Sequence, residues 1–407
     1  MRYRVLTACV LIQVCLGGLY AWSSFVPALQ ETWGFSAAQT QVTFGTLIAV
    51  FTVSMIFAGK LLERRGPRFV AGIAGVMVGA GYLTASLSGG SFLVLFLGIG
   101  CIVGIGTGFG YVCPLTICMK WFPERRGLVT GVAMAGFGGG AIVLSAWTKV
   151  LLVRGVDVLD VFRWIGLVYG VTILCAAAVL RVPSACAVTR PKLPPRLGQL
   201  LSEPFFQALV VGMFCGTFAG LLVIGNLNPL LQSRGASGLL ATAGISAFAV
   251  GNFAGRVTWG WTADKLGNRI IPLSLGVLSA GLGLLVWLPA TPVVVVSVSC
   301  LIGFGFGACF VVYASKVAWR YGPERVGSVY PVVFLAYGAA AIAGPWLGGW
   351  LYDLSSSYTS AIVASILVVV AGAAVSGRLL YMARPAIVAS GSLPSMLPEQ
   401  TAQQDVK

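Results

Sequence analysis

Histidine and charged side chains are what this sequence lacks. None of its 407 residues is histidine, and charged residues make up 9% of the chain, whereas a soluble protein carries about 25%. The absence of histidine excludes histidine-ligated metal sites and histidine proton relays. The ten cysteines include no Cys-x-x-Cys pair, a spacing common in metal and redox sites. We therefore expect no metal and no other cofactor.

Long apolar stretches take the place of the missing charge. Hydrophobic residues make up 58% of the chain, and about 20 consecutive apolar residues can cross a bilayer core of about 30 Å. The pattern predicts an all-α membrane protein with twelve transmembrane helices. The first stretch is too long for a signal peptide and lacks a small-residue cleavage site, so we expect it to be retained. The stretches are 5–29, 42–62, 69–87, 92–119, 127–150, 163–181, 205–231, 239–261, 270–288, 293–318, 327–350 and 359–382.

The distribution of basic residues predicts how these helices are oriented. If the N-terminus is cytoplasmic and every stretch crosses once, 21 of the 26 lysines and arginines, including Lys316, lie on the cytoplasmic side. Four lie outside, namely Lys149, Arg154, Arg163 and Arg234. This bias fits the positive-inside rule, so both termini are expected in the cytoplasm. Because the basic residues are spread over short loops, the net charge of +15 predicts no nucleic-acid partner. The predicted partner is the lipid bilayer of the cell membrane, which is the cytoplasmic membrane in a bacterium.

The chain divides into two halves that repeat each other. Segment 182–204, rich in proline and basic residues, separates six apolar stretches from six others. We expect a six-helix bundle at 1–181, a cytoplasmic linker at 182–204, a second bundle at 205–383 and a disordered cytoplasmic tail at 384–407. Parallel repeats of this kind place a binding site near the bilayer midplane, between the halves. The repeated motifs, offset by about 200 residues, are GKLLERRG at 59–66 and GWTADKLG at 260–267, PERRG at 123–127 and PERVG at 323–327, and PALQ at 27–30 and PLLQ at 229–232.

One repeated loop resembles a known family signature. The pattern Gly-x-x-x-acid-basic-x-Gly stands between stretches two and three and again between stretches eight and nine. It is similar to the loop signature of the major facilitator superfamily, a family of twelve-helix transporters. The resemblance implies a cytoplasmic gate, in which glycines let helix ends approach and acid and base pair across the gap. The residues concerned are Gly59, Glu63, Arg64 and Gly66, and Gly260, Asp264, Lys265 and Gly267.

Arg256 is the one basic residue that this count assigns to neither side, because it lies well inside the apolar stretch 239–261. It stands eight residues before Asp264, about 12 Å along the helix at about 1.5 Å per residue. Because helical side chains lean toward the N-terminus, it points toward the membrane centre, which disfavours snorkelling to the cytoplasm. All eleven acidic residues fall in loops, at stretch ends or in the tail. An intramembrane cation without a carboxylate suits an anionic ligand; the alternative is a structural residue bound to backbone carbonyls.

Further polar and aromatic residues are candidates for the same site. Asn252, four residues before Arg256, can orient it or the ligand. The first stretch carries a polar stripe of helical spacing at Gln13, Gly17, Tyr20 and Ser24, which we expect to face a cavity. For each candidate taken alone, ordinary helix packing remains an equal alternative. The others are Asn226, which corresponds to Ser24 in the repeat, and Tyr111, Phe137, Tyr313 and Tyr337 as walls and hydroxyl donors.

Two longer motifs narrow the resemblance to one branch. GLYAWSSF at 18–25 and GNFAGRVTWGWTADKLG at 251–267 resemble the monocarboxylate transporters and oxalate–formate exchangers of the superfamily. In that branch the equivalent of Arg256 binds the substrate carboxylate. This sequence departs from it at three positions. Ser24 and Asn252 stand where animal monocarboxylate transporters have lysine and aspartate, thought to carry the coupled proton. Tyr337 stands at about the sequence position where the oxalate exchangers have a second cation.

The resemblance and the charge pattern together predict a function. One buried cation is balanced by a singly charged anion, so we expect a secondary active carrier of monocarboxylates such as L-lactate or pyruvate. It is expected to act as a monomer, by alternating access, with a proton as the second partner. An anion exchanger of the oxalate/formate type is the alternative. A drug efflux carrier would need a buried acid, which this sequence does not show. An enzyme would need a histidine, a buried acid or a nucleophile motif, so we expect no enzyme.

Overall fold

The computed structural model describes residues 1–183 and 197–383, and every regular element in these ranges is helical. The short segments between some α-helices are 3-10 or π turns. The α-helices of the described ranges are α1 Arg2–Gly17, α2 Val26–Trp33, α3 Ala37–Arg65, α4 Pro67–Ser86, α5 Phe92–Leu95, α6 Gly104–Trp121, α7 Arg126–Val153, α8 Val158–Val179, α9 Leu197–Ser202, α10 Pro204–Ser233, α11 Gly238–Leu266, α12 Ile270–Trp287, α13 Pro292–Gly307, α14 Val312–Tyr321, α15 Val326–Ser355 and α16 Tyr358–Met382.

Eleven helical stretches of the described chain are long and apolar enough to cross a membrane. One of them, Gly238–Trp287, is 50 residues long and contains both α11 and α12. These two helices correspond to separate predicted stretches, 239–261 and 270–288. An all-helical, multi-spanning protein is therefore confirmed, while the count of twelve crossings and the side of the termini stay predictions. The predicted tail and most of the predicted linker lie outside the described residues.

Helix boundaries follow from local sequence signals. α3 begins with a capping box, in which the Ser36 side chain accepts from the Gln39 backbone and the Gln39 side chain accepts from the Ser36 backbone. Proline occupies the first turn of α4, α10 and α13, where its missing N–H costs nothing. Gly66 and Gly267 end α3 and α11 with φ of 80° and 57°, a backbone region that favours glycine.

The first predicted stretch is not one straight helix. After α1 the chain continues as a 3-10 helix, Gly18–Ser24, before α2 starts at Val26. A 3-10 helix turns about 120° per residue rather than about 100°, so side chains four residues apart no longer share a face. Two other predicted stretches also contain irregular turns, a π-helical segment at Phe96–Val103 and a 3-10 turn at Ala308–Phe310.

Helix packing brings the two repeats together along two seams. Within the first repeat α4 packs on α8, α1 on α7 and α3 on α6. Within the second, α11 packs on α13, α10 on α15 and α16, and α12 on α16. Between the repeats, α7 packs on α11 and α3 packs on α15. The candidate arginine lies on the first of these seams.

Candidate functional site

Arg256 lies on α11 where that helix meets α7, and its side chain is fully buried, with 0% exposure. Its Nε donates to the Asn252 Oδ1 at 3.0 Å, one helical turn earlier. Its Nη1 donates to the backbone carbonyl of Met134 on α7 at 2.8 Å. The predicted orientation of Arg256 by Asn252 is thus present as a hydrogen bond, and one backbone carbonyl also holds the guanidinium.

These two bonds leave most of the guanidinium's hydrogen-bonding capacity unused. A guanidinium carries five N–H donors, and the described chain accepts from two of them. Nη2 has no partner within the described chain although it is buried. No acidic side chain of the described residues forms an ion pair with Arg256. Nη2 and the second N–H of Nη1 are therefore available for two parallel bonds to a carboxylate.

Aromatic rings from both repeats surround the charge. The guanidinium carbon lies 4.3 Å from the ring centroid of Phe310 and 5.8 Å from that of Phe137. A cation over a ring face within about 6 Å is attracted by the ring's quadrupole. These contacts partly offset the cost of desolvating Arg256 while leaving its N–H groups free. Phe137 was among the candidates predicted from sequence, and Phe310 was not.

Three predicted tyrosines join this aromatic cluster. The Tyr20 and Tyr337 hydroxyls are 2.5 Å apart, which links the first repeat to the second. Tyr20 and Tyr111 each meet the Phe137 ring edge-on, with centroids 5.6 Å and 5.1 Å away. Tyr337 packs on Phe310 at 5.5 Å. The structure therefore brings Tyr20, Tyr111, Phe137 and Tyr337 together beside Arg256, with Phe51, Tyr330 and Phe334 completing the cluster.

Some of the buried polar atoms without partners in the described chain lie in the same region. Gln13 donates through Nε2 to the Tyr111 carbonyl at 3.4 Å and to the Met134 Sδ at 3.6 Å, whereas its Oε1 has no partner in the described chain. The buried side chains of Tyr111 and Tyr330 interact with each other, so in this region the Gln13 Oε1 and the Arg256 Nη2 remain without a partner in the described chain. Leaving such a group unsatisfied costs about 1–3 kcal/mol. A polar ligand or water at this position would remove part of that cost.

The predicted polar stripe of the first stretch faces α7 rather than an open cavity. A Cβ at Gly17 would clash with the Phe137 carbonyl, so this glycine allows close packing of α1 on α7. Ser24 donates to the Ser145 hydroxyl of α7 at 3.1 Å. The 3-10 turn after Gly17 separates Ser24 from Tyr20, which reaches the aromatic cluster. Of the stripe, Tyr20 contacts the aromatic cluster with its side chain, while Gln13 and Gly17 lie against the backbone of Tyr111 and Phe137.

Two predicted residues have their contacts elsewhere. Asn226 donates through Nδ2 to the Leu222 carbonyl of its own helix at 2.8 Å, and a Cβ at Gly348 of α15 would touch this amide. Tyr313 is buried on α14, its hydroxyl close to Gly212 of α10. Neither contact involves the Arg256 cluster. Their predicted part in substrate binding stays a prediction that this conformation does not illustrate.

The two repeated loop motifs lie where the repeats touch most closely. A Cβ at Gly59 would clash with the Gly327 carbonyl across the α3–α15 seam, and Cβ atoms at Gly127 and Gly260 would clash with each other's carbonyls across the α7–α11 seam. Only glycine permits such backbone approach. Further along α7, Gly140 packs on Val14 of α1 instead. The repeats are therefore in contact on the side of these loops, which was predicted to be cytoplasmic.

The acids of the motifs bind the starts of helices in the other repeat. The Asp264 carboxylate accepts from the backbone N–H of Gly127 at 2.8 Å and of Leu128 at 3.2 Å, at the start of α7. A carboxylate is stabilised there by the helix dipole. Glu63 lies correspondingly beside Ser328 at the start of α15. The expected acid–base pairing is not what is seen, because Lys265 lies over the Trp261 ring, 3.6 Å from its centroid, and Arg64 is exposed.

Sequence reasoning missed several residues of this region. Phe310 and the Met134 carbonyl contact Arg256 but lie on other helices, and an apolar residue among many apolar residues carries no signal. Lys316 was counted with the cytoplasmic basic residues, yet it is 3% exposed and donates to the Ala263 carbonyl at 3.1 Å. Its position two residues before the end of the apolar stretch 293–318 could have indicated burial. Lys316 lies beside the predicted gate, since Ala263 adjoins Asp264.

Comparison with known proteins gives the same architecture. A sequence profile of the Major Facilitator Superfamily matches residues 8–345 and 209–399. The chain is 26% identical over 394 residues to the oxalate:formate antiporter of Oxalobacter formigenes, covering 94% of this chain and 93% of that protein. It is 24% identical over 382 residues to monocarboxylate transporter 11 of Homo sapiens, covering 88% and 77%. The crystal structure of the E. coli fucose:proton symporter FucP matches with a TM-score of 0.69 at 12% identity, covering 91% and 97%, which shows the fold alone.

Proposed function

Since the chain belongs to the Major Facilitator Superfamily, whose members are membrane transporters and not enzymes, we propose that it carries small monocarboxylates such as L-lactate or pyruvate. Arg256 binds the carboxylate, and the tyrosines around it contact the rest of the molecule. The carrier is a monomer in the cytoplasmic membrane, with both termini in the cytoplasm. Its halves, 1–181 and 205–383, are six-helix bundles that rock about the central site.

The observation that carries this proposal is the state of the Arg256 side chain. It is wholly buried, and no described acid pairs with it. Its Nη2 has no partner in the described chain. A charge kept in a membrane protein without a counter-ion marks a functional site. A structural arginine bound only to carbonyls would have its donors satisfied, which was the alternative interpretation, and one carbonyl contact does not achieve that.

The number of cations at the site favours a singly charged substrate. The second buried cation, Lys316, binds the Ala263 carbonyl near the gate and not the aromatic cluster. Tyr337 stands at about the position where the oxalate exchangers have a second cation, and its hydroxyl bonds to that of Tyr20. One carboxylate therefore neutralises the site, whereas a dianion would leave an uncompensated charge in a medium of low dielectric constant.

Alternating access accounts for the glycine contacts on the loop side. With Gly59 against Gly327 and Gly127 against Gly260, the halves are closed there, so substrate must enter from the opposite face. The Tyr20–Tyr337 hydroxyl bond joins the halves beside Arg256 and must break when the site opens. Separation of the glycine pairs, together with release of the Asp264 carboxylate from α7, opens the loop side.

Proton coupling in this carrier depends on the substrate. Ser24 and Asn252, which stand where animal monocarboxylate transporters have lysine and aspartate, carry no ionisable group. The proton then travels with the carboxylate rather than on a side chain at the site. Exchange of one organic anion for another is the second candidate, and it is favoured by the similarity to the oxalate:formate antiporter over 94% of the chain.

Uptake of labelled L-lactate into proteoliposomes tests the proposal and separates its two forms. Vesicles with and without an inward proton gradient are compared, and parallel vesicles are loaded with formate or oxalate. Uptake driven by the gradient alone is the expected result for proton-coupled symport. Uptake only against a trapped anion establishes exchange. If neither condition drives uptake of L-lactate, pyruvate or formate by folded protein, the monocarboxylate assignment is wrong.

A further inference from the structure

A groove between α12 and α16 lies apart from the central site. It is a cavity of about 670 Å³ lined by small and aliphatic side chains. Gly276 and Ala280 of α12 form one wall, and Ile366 and Val370 of α16 form the other. Val370 and Trp287 at its rim are exposed, so the groove faces the surroundings of the helices, which in a membrane is lipid.

A polar pocket of about 160 Å³ lies beyond the groove, at one end of the same two helices. It is lined by Arg234 and by the hydroxyl residues Ser233, Ser357 and Thr359. Ile362, which also lines it, stands one helical turn before Ile366 of the groove. The two cavities therefore follow one face of α16, polar at its start and apolar beyond.

The polar pocket has the chemistry of an anion site. The Arg234 Nη2 donates to the carbonyls of Val286 at 3.1 Å and Leu288 at 2.8 Å, which fixes the guanidinium and leaves its other N–H groups without a described acceptor. The 25-residue helix α16 begins at this pocket, with Ser357 as its N-cap. A guanidinium and the N-terminus of a helix both favour an anion, and no described lining residue is acidic.

The length of the groove fits one leaflet of a bilayer. From Ile362 to Ala373, the last lining residue of α16, the helix rises about 16 Å at about 1.5 Å per residue. Half of a hydrocarbon core is about 15 Å. Trp287 is 79% exposed beside the polar end, as expected of an aromatic residue at the level of the headgroups.

From these contacts we propose that the α12–α16 groove binds one anionic phospholipid. Its phosphodiester lies between Arg234 and the start of α16, and one acyl chain fills the apolar groove toward the membrane midplane. The side that carries Arg234 was predicted to be extracellular, so the lipid comes from the outer leaflet. This site is separate from Arg256, and the proposal does not depend on the transported substrate.

Lipid binding to purified, delipidated protein tests the proposal. Native mass spectrometry and thermal unfolding are measured with dioleoyl phosphatidylglycerol, dioleoyl phosphatidylethanolamine and inorganic phosphate as separate additions. Arg234→Gln removes the charge, and Arg154→Gln removes an exposed arginine on the same predicted side as its control. Gly276→Leu fills the groove, where a Cβ meets no atom within 4 Å, and Gly72→Leu is the same change at an equally open glycine of α4.

The expected result is one retained phosphatidylglycerol per protein, stabilising it more than phosphatidylethanolamine does. Arg234→Gln and Gly276→Leu each weaken phosphatidylglycerol binding about tenfold or more, while both controls bind as wild type. The difference between the two lipids within each variant is the readout, so lower basal stability does not affect it. Equal binding of both lipids by all variants overturns the proposal. Equal stabilisation by inorganic phosphate assigns the pocket to a free anion and also overturns it.

Discussion

Arg256→Lys tests whether the guanidinium itself contacts the substrate. The substitution keeps a positive charge in the same place but replaces a planar fork with a single ammonium. Arg256 donates to Asn252 and to the Met134 carbonyl while still offering Nη1 and Nη2 to a carboxylate. Lysine cannot make all of these contacts at once. We therefore expect substrate binding to weaken while the net charge of the site is unchanged.

The expected loss follows from the number of bonds. A hydrogen bond to a charged group contributes about 1.5–3 kcal/mol, and the lysine variant loses at least one of the two that the fork donates to the carboxylate. Because 1.4 kcal/mol corresponds to about tenfold in affinity, KM for L-lactate should rise about 10- to 100-fold. A role in net charge alone would leave KM close to that of the wild type.

Counterflow of labelled L-lactate in proteoliposomes measures this KM without a proton gradient. Arg163→Lys on α8 is the matched control, because Arg163 is exposed and pairs with Asp160 at 2.8 Å. Thermal unfolding without substrate shows whether each variant is folded. A folded Arg256→Lys protein with wild-type KM would refute direct contact between the guanidinium and the carboxylate, and Arg256 would then be structural.

Three further substitutions probe the site and its gate. Asn252→Asp places a carboxylate 3 Å from the guanidinium and should lower L-lactate affinity at neutral pH at least tenfold, since the new acid competes with the substrate; the same KM assay measures it. Gly59→Ala should slow L-lactate uptake by folded protein, because overpacking destabilises the state closed on the loop side by about 1–3 kcal/mol. Gly45→Ala on the same helix should not slow uptake, because Gly45 has open space around it. Tyr337→Lys adds a second cation, so oxalate should inhibit L-lactate uptake at concentrations about tenfold lower; unchanged inhibition would contradict the charge-balance argument.

The fold could be predicted because its determinants are local. An apolar stretch of membrane-spanning length can be recognised from about 20 consecutive residues without knowledge of the rest of the chain. The irregular turns were less predictable. Gly17 and Gly18 stand where the 3-10 segment of the first stretch begins, but glycines also lie inside regular helices such as α7. Ser24 in that segment bonds to Ser145 of α7, whereas Tyr20 bonds to Tyr337 of α15, so the part of Ser24 in substrate binding stays a prediction.

Of the candidate site, the sequence indicated the buried charge and its neighbour on the same helix, but not the contacts from other helices. Arg256 stands out because every acid lies elsewhere in the sequence, and Asn252 follows from its spacing on one helix. The contacts of Phe310 and Met134 with Arg256 depend on how the 3-10 turn Ala308–Phe310 and α7 pack against α11, which no local pattern encodes. Asp264 was predicted to pair with a base at the gate, but its partners are the backbone N–H groups of Gly127 and Leu128. Every residue except proline has a backbone N–H, so the sequence does not indicate which one is bound.

The contacts of Arg256 also bear on symport and exchange. A symporter must reorient without its anion after release. During that step the charge of Arg256 can be stabilised only by contacts within the protein. Arg256 has four such contacts, with Asn252, the Met134 carbonyl and the rings of Phe310 and Phe137, and each lowers the cost of a guanidinium without substrate in a dry site. In a strict exchanger a high free-energy cost of reorienting without substrate is useful, because it prevents the unloaded carrier from reorienting. Removing the Phe310 ring should therefore slow gradient-driven uptake more than lactate–lactate counterflow, and equal slowing of the two would remove this support for symport.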